Sequence, residues 1–282
     1  MNRPSERALV HQNPSALAEL LQRGEVVALT GAGVSTDSGI PAYRDEEGRW
    51  KQSAPMQFRD FVGSELARQR YWARSMVGWQ RMAQAAPNDA HRALAELERR
   101  GLLRLLITQN VDGLHSAAGS ENVVDLHGRL DRVICLGCKN ITPRAELQAR
   151  LVAENPEFLG QSFVARADGD VELAVDYGRF RLIACAACGG VLKPDVVFFG
   201  ENVPAPRVQQ AMAALEGARA LLVAGTSLMV FSGFRFARAA ARLGVPIAVV
   251  NQGRTRADEL SALRVAGNVG ELLQGALRAA SA

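Results

Sequence analysis

The stretch Gly31-Ala32-Gly33-Val34-Ser35-Thr36-Asp37-Ser38-Gly39-Ile40-Pro41-Ala42-Tyr43-Arg44 constrains this chain more than any other, because it directly follows the apolar run Val26-Val27-Ala28-Leu29-Thr30. The pair reads as a buried strand ending in a glycine-rich turn. Glycines let backbone amides approach an anion closely, and a helix opening just after the turn would add the positive end of its dipole. The turn is therefore a candidate cradle for a dinucleotide pyrophosphate. The match is partial: Thr36 stands where the G-x-G-x-x-G fingerprint wants its third glycine, and no acidic residue follows at the customary ribose-binding distance. A plain strand-to-helix turn is the alternative reading at this point.

A chain of 282 residues with 48% hydrophobic content can bury a large core, as one elaborate domain or as two lobes. No apolar run approaches the ~20 residues of a membrane span, so no membrane partner is expected. Residues 1–14 carry Arg3, Glu6 and Arg7 and no apolar h-region, which sets the cytoplasm as the expected location. The net charge of +4 comes from arginines dispersed along the chain, and nucleic-acid binding is not favoured.

Asn13-Pro14 reads as the cap and first residue of a helix with Leu17, Leu20 and Leu21 on one face and Gly24 after its end. From Phe58 to Met82, Phe61, Tyr71, Trp72 and Trp79 interleave with Arg68, Arg70, Arg74 and Arg81, as in an amphipathic helical lobe. Asn88 caps a predicted helix from Asp89 to Arg100, and Leu102 to Thr108 forms a second buried strand. That strand runs into the polar loop Gln109-Asn110-Val111-Asp112-Gly113-Leu114-His115, where open α/β sheets place their ligands. A third strand, Val123 to Leu126, delivers His127-Gly128. The closing section alternates strand Ala220 to Ala224, helix Gly233 to Leu243, strand Pro246 to Val250 and helix Val269 to Leu277. Alternation of this kind predicts an α/β fold with a parallel, doubly wound sheet.

All four cysteines fall in two C-x-x-C knuckles, Cys135/Cys138 and Cys185/Cys188, which bracket a long polar insert with no evident core of its own. Without an export signal this argues for a zinc site over disulfides. Four thiolates fill a tetrahedron, so the metal is expected to be structural. Of the four histidines, His11 in the N-terminal segment and His91 on a helix surface read as bland, and His115 as a local hydrogen-bonding residue. His127 ends a strand beside the Gln109–Asp112 loop, which makes it the best candidate for a general base.

Taken together and in order, Gly31-Ala32-Gly33-Val34-Ser35, Ser38-Gly39-Ile40-Pro41, Thr108 to His115, Leu126-His127-Gly128, the paired knuckles, Gly225-Thr226-Ser227 and Asn251 resemble the sirtuins over nearly the whole chain. Tyr43-Arg44, Arg70 to Arg74, Gly78-Trp79 and Lys193 to Gly200 are most similar to the class II branch, here as a bacterial member. The resemblance implies a Rossmann-type large domain, from residues 1–50, 86–130 and 193–282. A small domain would combine a helical module (51–85) with a zinc module (131–192), and NAD would lie between the two.

Carried over by position, the resemblance implies that Gly31, Ala32, Gly33, Ser35, Ile40, Tyr43 and Arg44 form the cofactor loop. Gln109, Asn110 and Asp112 would hold nicotinamide and its ribose, with Asn110 and Asp112 also counted as catalytic beside His127. Gly225, Thr226, Ser227, Asn251, Gln252, Gly253 and Val269 would line the adenosine side. Val197, Phe198, Phe199, Gly200 and Glu201 would clamp an acyl-lysine protein or peptide as an added strand. One structural zinc would sit on Cys135, Cys138, Cys185 and Cys188.

The implied activity is NAD-dependent deacylation of protein lysines, in which the acyl oxygen attacks C1′ of the nicotinamide ribose. His127 would then take a ribose-hydroxyl proton, and nicotinamide and O-acyl-ADP-ribose would be released. ADP-ribosyl transfer to protein, or a non-enzymatic zinc-containing NAD-binding module, are the alternatives. One departure stands out: Ala42 replaces the carboxylate usual after Ile-Pro. Finally, Tyr71 and Arg74, three apart on one helix face, match the spacing with which some sirtuins bind acidic acyl groups.

Overall fold

The structure is a computed structural model that describes residues 14–43, 45, 49, 55–160, 164–165 and 171–280. Asn13 and Arg44 lie outside the described residues. In chain order the elements are α1 (Pro14–Leu21), β1 (Val26–Thr30), α2 (Phe58–Gly63), α3 (Glu65–Gln84), α4 (Asp89–Arg99), β2 (Leu103–Thr108), α5 (Leu114–Ala117), β3 (Val123–Asp125), β4 (Gly128–Cys135), β5 (Ile141–Pro143), α6 (Arg144–Glu154), β6 (Val164–Ala165), β7 (Val171–Glu172), β8 (Leu192–Val196), α7 (Ala205–Glu216), β9 (Ala220–Ala224), α8 (Phe231–Leu243), β10 (Ile247–Val250), β11 (Leu263–Val265) and α9 (Val269–Ala279).

A six-stranded parallel sheet of order β11-β10-β9-β1-β2-β3 carries the larger part of the chain. This is the doubly wound Rossmann order, with its switch point between β1 and β9. Strand β1 is buried along its whole length, and its alternation feeds two cores. Val26 and Ala28 face the cluster made with α1, α4 and α9, while Val27 and Leu29 face the one made with α7 and α8. Helix α4 contributes the stripe Ala90, Ala93, Leu94 and Leu97, and starts where Asn88 Oδ1 accepts from Ala90 N at 2.9 Å.

Two helix expectations are corrected. No α-helix opens after the glycine turn: the chain makes two single 3₁₀ turns, Ala32–Val34 and Thr36–Ser38, and ends them at Gly39 with φ 81°. No long helix dipole therefore points at the turn. The expected Phe58–Met82 helix is two helices, because Ser64 N closes α2 on Asp60 O (3.1 Å) while Ser64 Oγ caps α3 by accepting from Ala67 N (3.2 Å).

The cysteine-bracketed segment does not pack alone: its apolar side chains join one core with α2 and α3. Leu147, Leu151, Phe158, Val171 and Phe180 are buried, mostly in one cluster with Phe61, Trp72 and Met76 of α2 and α3. An antiparallel sheet β5-β4-β8 backs it. Strands β5, β8 and β11 are too short to show a period, and the alternation of the eight-residue β4 is interrupted by an irregularity between Gly128 and Val133. Arg144 is fully buried there, its guanidinium 5.4 Å from the Trp72 ring centroid and 4.9 Å from that of Trp79. Burial pulls its pKa down to about 10, so it stays charged at neutral pH.

The two knuckles are built alike. Lys139 N and Gly189 N donate to the carbonyls of Cys135 and Cys185, and both residues are left-handed, with φ 63° and 72°. The four sulfurs converge within 4.8 Å of one another, with Cys135 and Cys188 Sγ 3.5 Å apart and Cys138 and Cys185 Sγ 3.8 Å apart. A tetrahedral ion with bonds of ~2.3 Å needs sulfurs about 3.8 Å apart. The thiols thus fit zinc in donor type, number and spacing. Metal analysis of the purified chain is expected to find one zinc per chain, and Cys185→Ser is expected to lose it and to lower the melting temperature. An unchanged melting temperature in a metal-free protein would refute the site.

Candidate active site

The carboxyl edge of the parallel sheet and the inserted unit enclose a cleft of about 980 Å³. Every cofactor, catalytic and substrate residue named from the sequence lines this cleft, apart from Arg44, which lies outside the described residues. The cysteine cluster stands apart from it.

The floor is the meeting of two turns. Gly33 N donates to Gly225 O at 2.8 Å, and a Cβ on Gly33 would lie 2.8 Å from that oxygen. Gly225, at φ 62°, has no room either, since a Cβ there would sit 2.5 Å from Val34 N. Gln109 ties β2 to both turns, its Nε2 donating to Thr30 O (3.1 Å) and Thr226 Oγ1 (2.8 Å). On the adenosine side proposed from the sequence, Asn251 Nδ2 closes its turn on Gly253 O at 2.8 Å.

Beside the floor a polar chain has a determinate direction. Asn88 N–H donates to His91 Nδ1 (3.3 Å), so the His91 proton sits on Nε2 and points to Ser35 Oγ at 3.4 Å. Asn110 Nδ2 donates to the same oxygen (3.0 Å), and the Ser35 hydroxyl donates to Asp112 Oδ2 at 2.7 Å. Leu114 N holds the other carboxylate oxygen at 2.9 Å. His91 is therefore no surface residue: it is fully buried, with its ring centroid 4.7 Å from that of His115. A helix-surface assignment failed because the face carrying Ala90 and Ala93 turns this side chain inward with them. His115 Nε2 and Thr30 Oγ1 are 2.9 Å apart.

His127 projects into the cleft between β3 and β4. Its Nδ1 donates to the Gln109 carbonyl at 2.9 Å, which leaves the Nε2 lone pair to accept from Ser232 Oγ at 2.8 Å. Burial, opposed by the Gln109 carbonyl and reinforced by the charges of Arg207 and Arg235, pulls its pKa down to about 4. The imidazole is neutral at physiological pH with its basic atom facing a hydroxyl. Ser232 escaped the sequence reading because 105 residues separate it from His127.

The segment after β8 is clamped from several sides. Val197 N donates to His127 O (2.7 Å), and Phe58 N to Phe199 O (2.8 Å). The buried Lys193 ammonium lies 3.1 Å from Glu201 Oε2, which also accepts from Phe198 N at 2.9 Å, and the Phe198 ring covers it. Tyr71 packs edge-on against Phe61, Trp72 and Phe198, with centroids 5.2 to 5.5 Å away. Arg74 is buried at 7% exposure, and its Nε donates to the Val171 carbonyl.

Three of these histidines are neutral because they are buried, with His91 and His127 at about 4 and His115 pushed well below the ordinary value by burial. An unfolded histidine titrates near 6.5, so the unfolded chain binds more protons in between. Their contribution to stability is complete above about 6.5 and is lost as pH falls toward about 4. A melting temperature that declines through this window, read by circular dichroism, is expected; one that stays level would contradict it.

Residues 31–232 match the Sir2 family. The NAD-dependent protein deacetylase of Xanthomonas campestris pv. campestris strain 8004 is 56% identical over 258 residues, 91% of this chain and 88% of the relative. That of Bordetella bronchiseptica is 56% identical over 246 residues, 87% of this chain and 90% of the relative. Among solved structures, a Sir2 homolog–NAD complex superposes with TM-score 0.75 at 31% identity, covering 98% of this chain and 97% of that one. A Sir2–p53 peptide–NAD⁺ structure superposes with TM-score 0.73 at 30% identity, over 93% and 96%. With this fold, cleft and cysteine cluster, the chain belongs to the Sir2 family of sirtuins.

Proposed function

We propose that the protein is an NAD-dependent protein-lysine deacylase that releases nicotinamide and O-acyl-ADP-ribose. The observation that carries this reading is His127, a neutral base whose Nε2 lone pair meets a hydroxyl within the cleft. Deacetylase relatives at 56% identity support the same reaction class. Their bacterial origin, with no helix among the described residues long and apolar enough to cross a membrane, supports a cytoplasmic location.

In this proposal NAD supplies the glycosidic bond whose cleavage activates the acyl group. Gly31, Ala32, Gly33, Ser35, Ile40, Tyr43 and Arg44 are assigned to its cofactor loop, and the absence of side chains at Gly33 and Gly225 lets the two turns beneath it meet backbone to backbone. Gln109, Asn110 and Asp112 orient the nicotinamide end. Residues 225–227, 251–253 and Val269 take the adenosine end. Residues 197–201 pair with the backbone of the acyl-lysine peptide, and His127 Nε2 removes a ribose-hydroxyl proton. Cys135, Cys138, Cys185 and Cys188 hold zinc for structure alone, since four thiolates leave no position for substrate. The large domain comprises 1–50, 86–130 and 193–282, and the small domain 51–85 and 131–192.

With NAD and an acetyl-lysine peptide, mass spectrometry is expected to find free peptide, nicotinamide and O-acetyl-ADP-ribose. His127→Ala should lower turnover by roughly 100- to 10,000-fold with an unchanged circular dichroism spectrum. ADP-ribosylated protein as the product, or a variant of undiminished turnover, would overturn the reading.

Tyr71 and Arg74 are proposed to face the acyl chain, where a guanidinium suits a carboxylate. Wild type should then favour glutaryl- over acetyl-lysine in kcat/KM, and Arg74→Met should remove that preference. A wild-type preference for acetyl would leave Arg74 as a buried tie to Val171.

A further inference from the structure

We propose that Arg235 selects substrates bearing an aspartate or glutamate next to the acylated lysine; this rests on the deacylase reading above. Arg235 lines the cleft and follows Ser232 by three positions on α8, so the two share a helix face. Since Ser232 Oγ lies 2.8 Å from His127 Nε2, this face borders the reacting end of the cleft.

Among the described residues Arg235 makes no ion pair and no hydrogen bond, and its Nε is buried without a partner. A desolvated guanidinium donor is costly to leave unpaired. Among the acids that line the cleft, Glu201 is already held 3.1 Å from Lys193. Arg207 and Arg235 both act on His127 as positive charges.

The guanidinium is also oriented. It lies 5.4 Å from the ring centroid of Phe231, which is 52% exposed and has Arg238 6.0 Å away. A guanidinium beside an aromatic ring keeps its planar fork, which can take a carboxylate through two parallel hydrogen bonds. With no carboxylate paired to it among the described residues, this guanidinium suits an anion brought by the ligand. Of the two ligands, the peptide is the one that passes here, because the segment proposed to pair with it is tied to His127 through Val197 N and His127 O at 2.7 Å. The glycine turns, where a pyrophosphate would lie, are built around Gly33 and Gly225 instead.

The test uses acetyl-lysine peptides that differ only by Glu or Gln at each flanking position. Dissociation constants are measured by calorimetry without NAD, and kcat/KM with it. At one position the Glu peptide should bind about tenfold more tightly than its Gln partner, the size of one partly desolvated charge-assisted hydrogen bond. Arg235→Gln should bring that ratio close to one, and Arg235→Lys should retain part of it. Added salt should shrink the wild-type ratio.

A wild-type ratio near one at every position would overturn the proposal whether or not the variants fold. So would a ratio that Arg235→Gln leaves unchanged, or a response to Arg235→Gln seen only with a carboxylate on the acyl chain or only in NAD affinity. Failure of the underlying reading looks different: wild type would then not turn over the Gln peptides at all.

Discussion

Everything in the cleft depends on two turns touching backbone to backbone. The strand order places the carboxyl ends of β1 and β9 side by side, and the Gly33–Gly225 hydrogen bond of 2.8 Å locks the turns that follow them. A side chain at either position would collide with the opposite backbone. The contact therefore does two things at once. It joins the two halves of the sheet at the switch point, and it brings the two turns closer together than any side chain at either glycine would allow. The notion that a helix dipole reinforces this floor does not hold here, because two 3₁₀ turns replace the helix.

From that floor the polar groups are arranged by their donor and acceptor capacities. A backbone N–H can only donate and a carbonyl can only accept, and these two facts settle the tautomers of His91 and His127 in opposite senses. His91 then points a donor toward Ser35 and Asp112, whereas His127 points a lone pair toward Ser232. Burial keeps both rings neutral, so the same imidazole group presents a fixed donor in one place and a lone pair, suited to the proposed base, in the other.

The inserted unit holds the opposite wall. Its core does not rest on the knuckles alone, since α2, α3 and α6 bury aromatic and leucine side chains around a charged Arg144. Lys193 sits at the junction, its ammonium wrapped by the segment from Val196 to Glu201. That enclosure shapes the strip proposed to meet the peptide. Arg235 lines the same cleft from α8, with no ion pair among the described residues.

The sequence by itself determined the parallel sheet, the glycine turn, the four-cysteine cluster and the candidate base, because each rests on local rules. Hydrophobic runs bounded by glycine mark the buried strands, as at Val26–Thr30 and Ala220–Ala224, and paired C-x-x-C spacing marks a metal site. The resemblance supplied what spacing could not, the grouping of residues 31–44, 109–112, 225–227 and 251–253 around one ligand, and the structure lines one cleft with the described members of that set. Tertiary structure alone decided the rest. His91 turned from a surface residue into a buried donor, Ser232 met His127 from 105 residues away, and Arg235 was left without a counter-charge among the described residues. These depend on which side chains long-range packing brings together and which it leaves unpaired, and no local pattern encodes that.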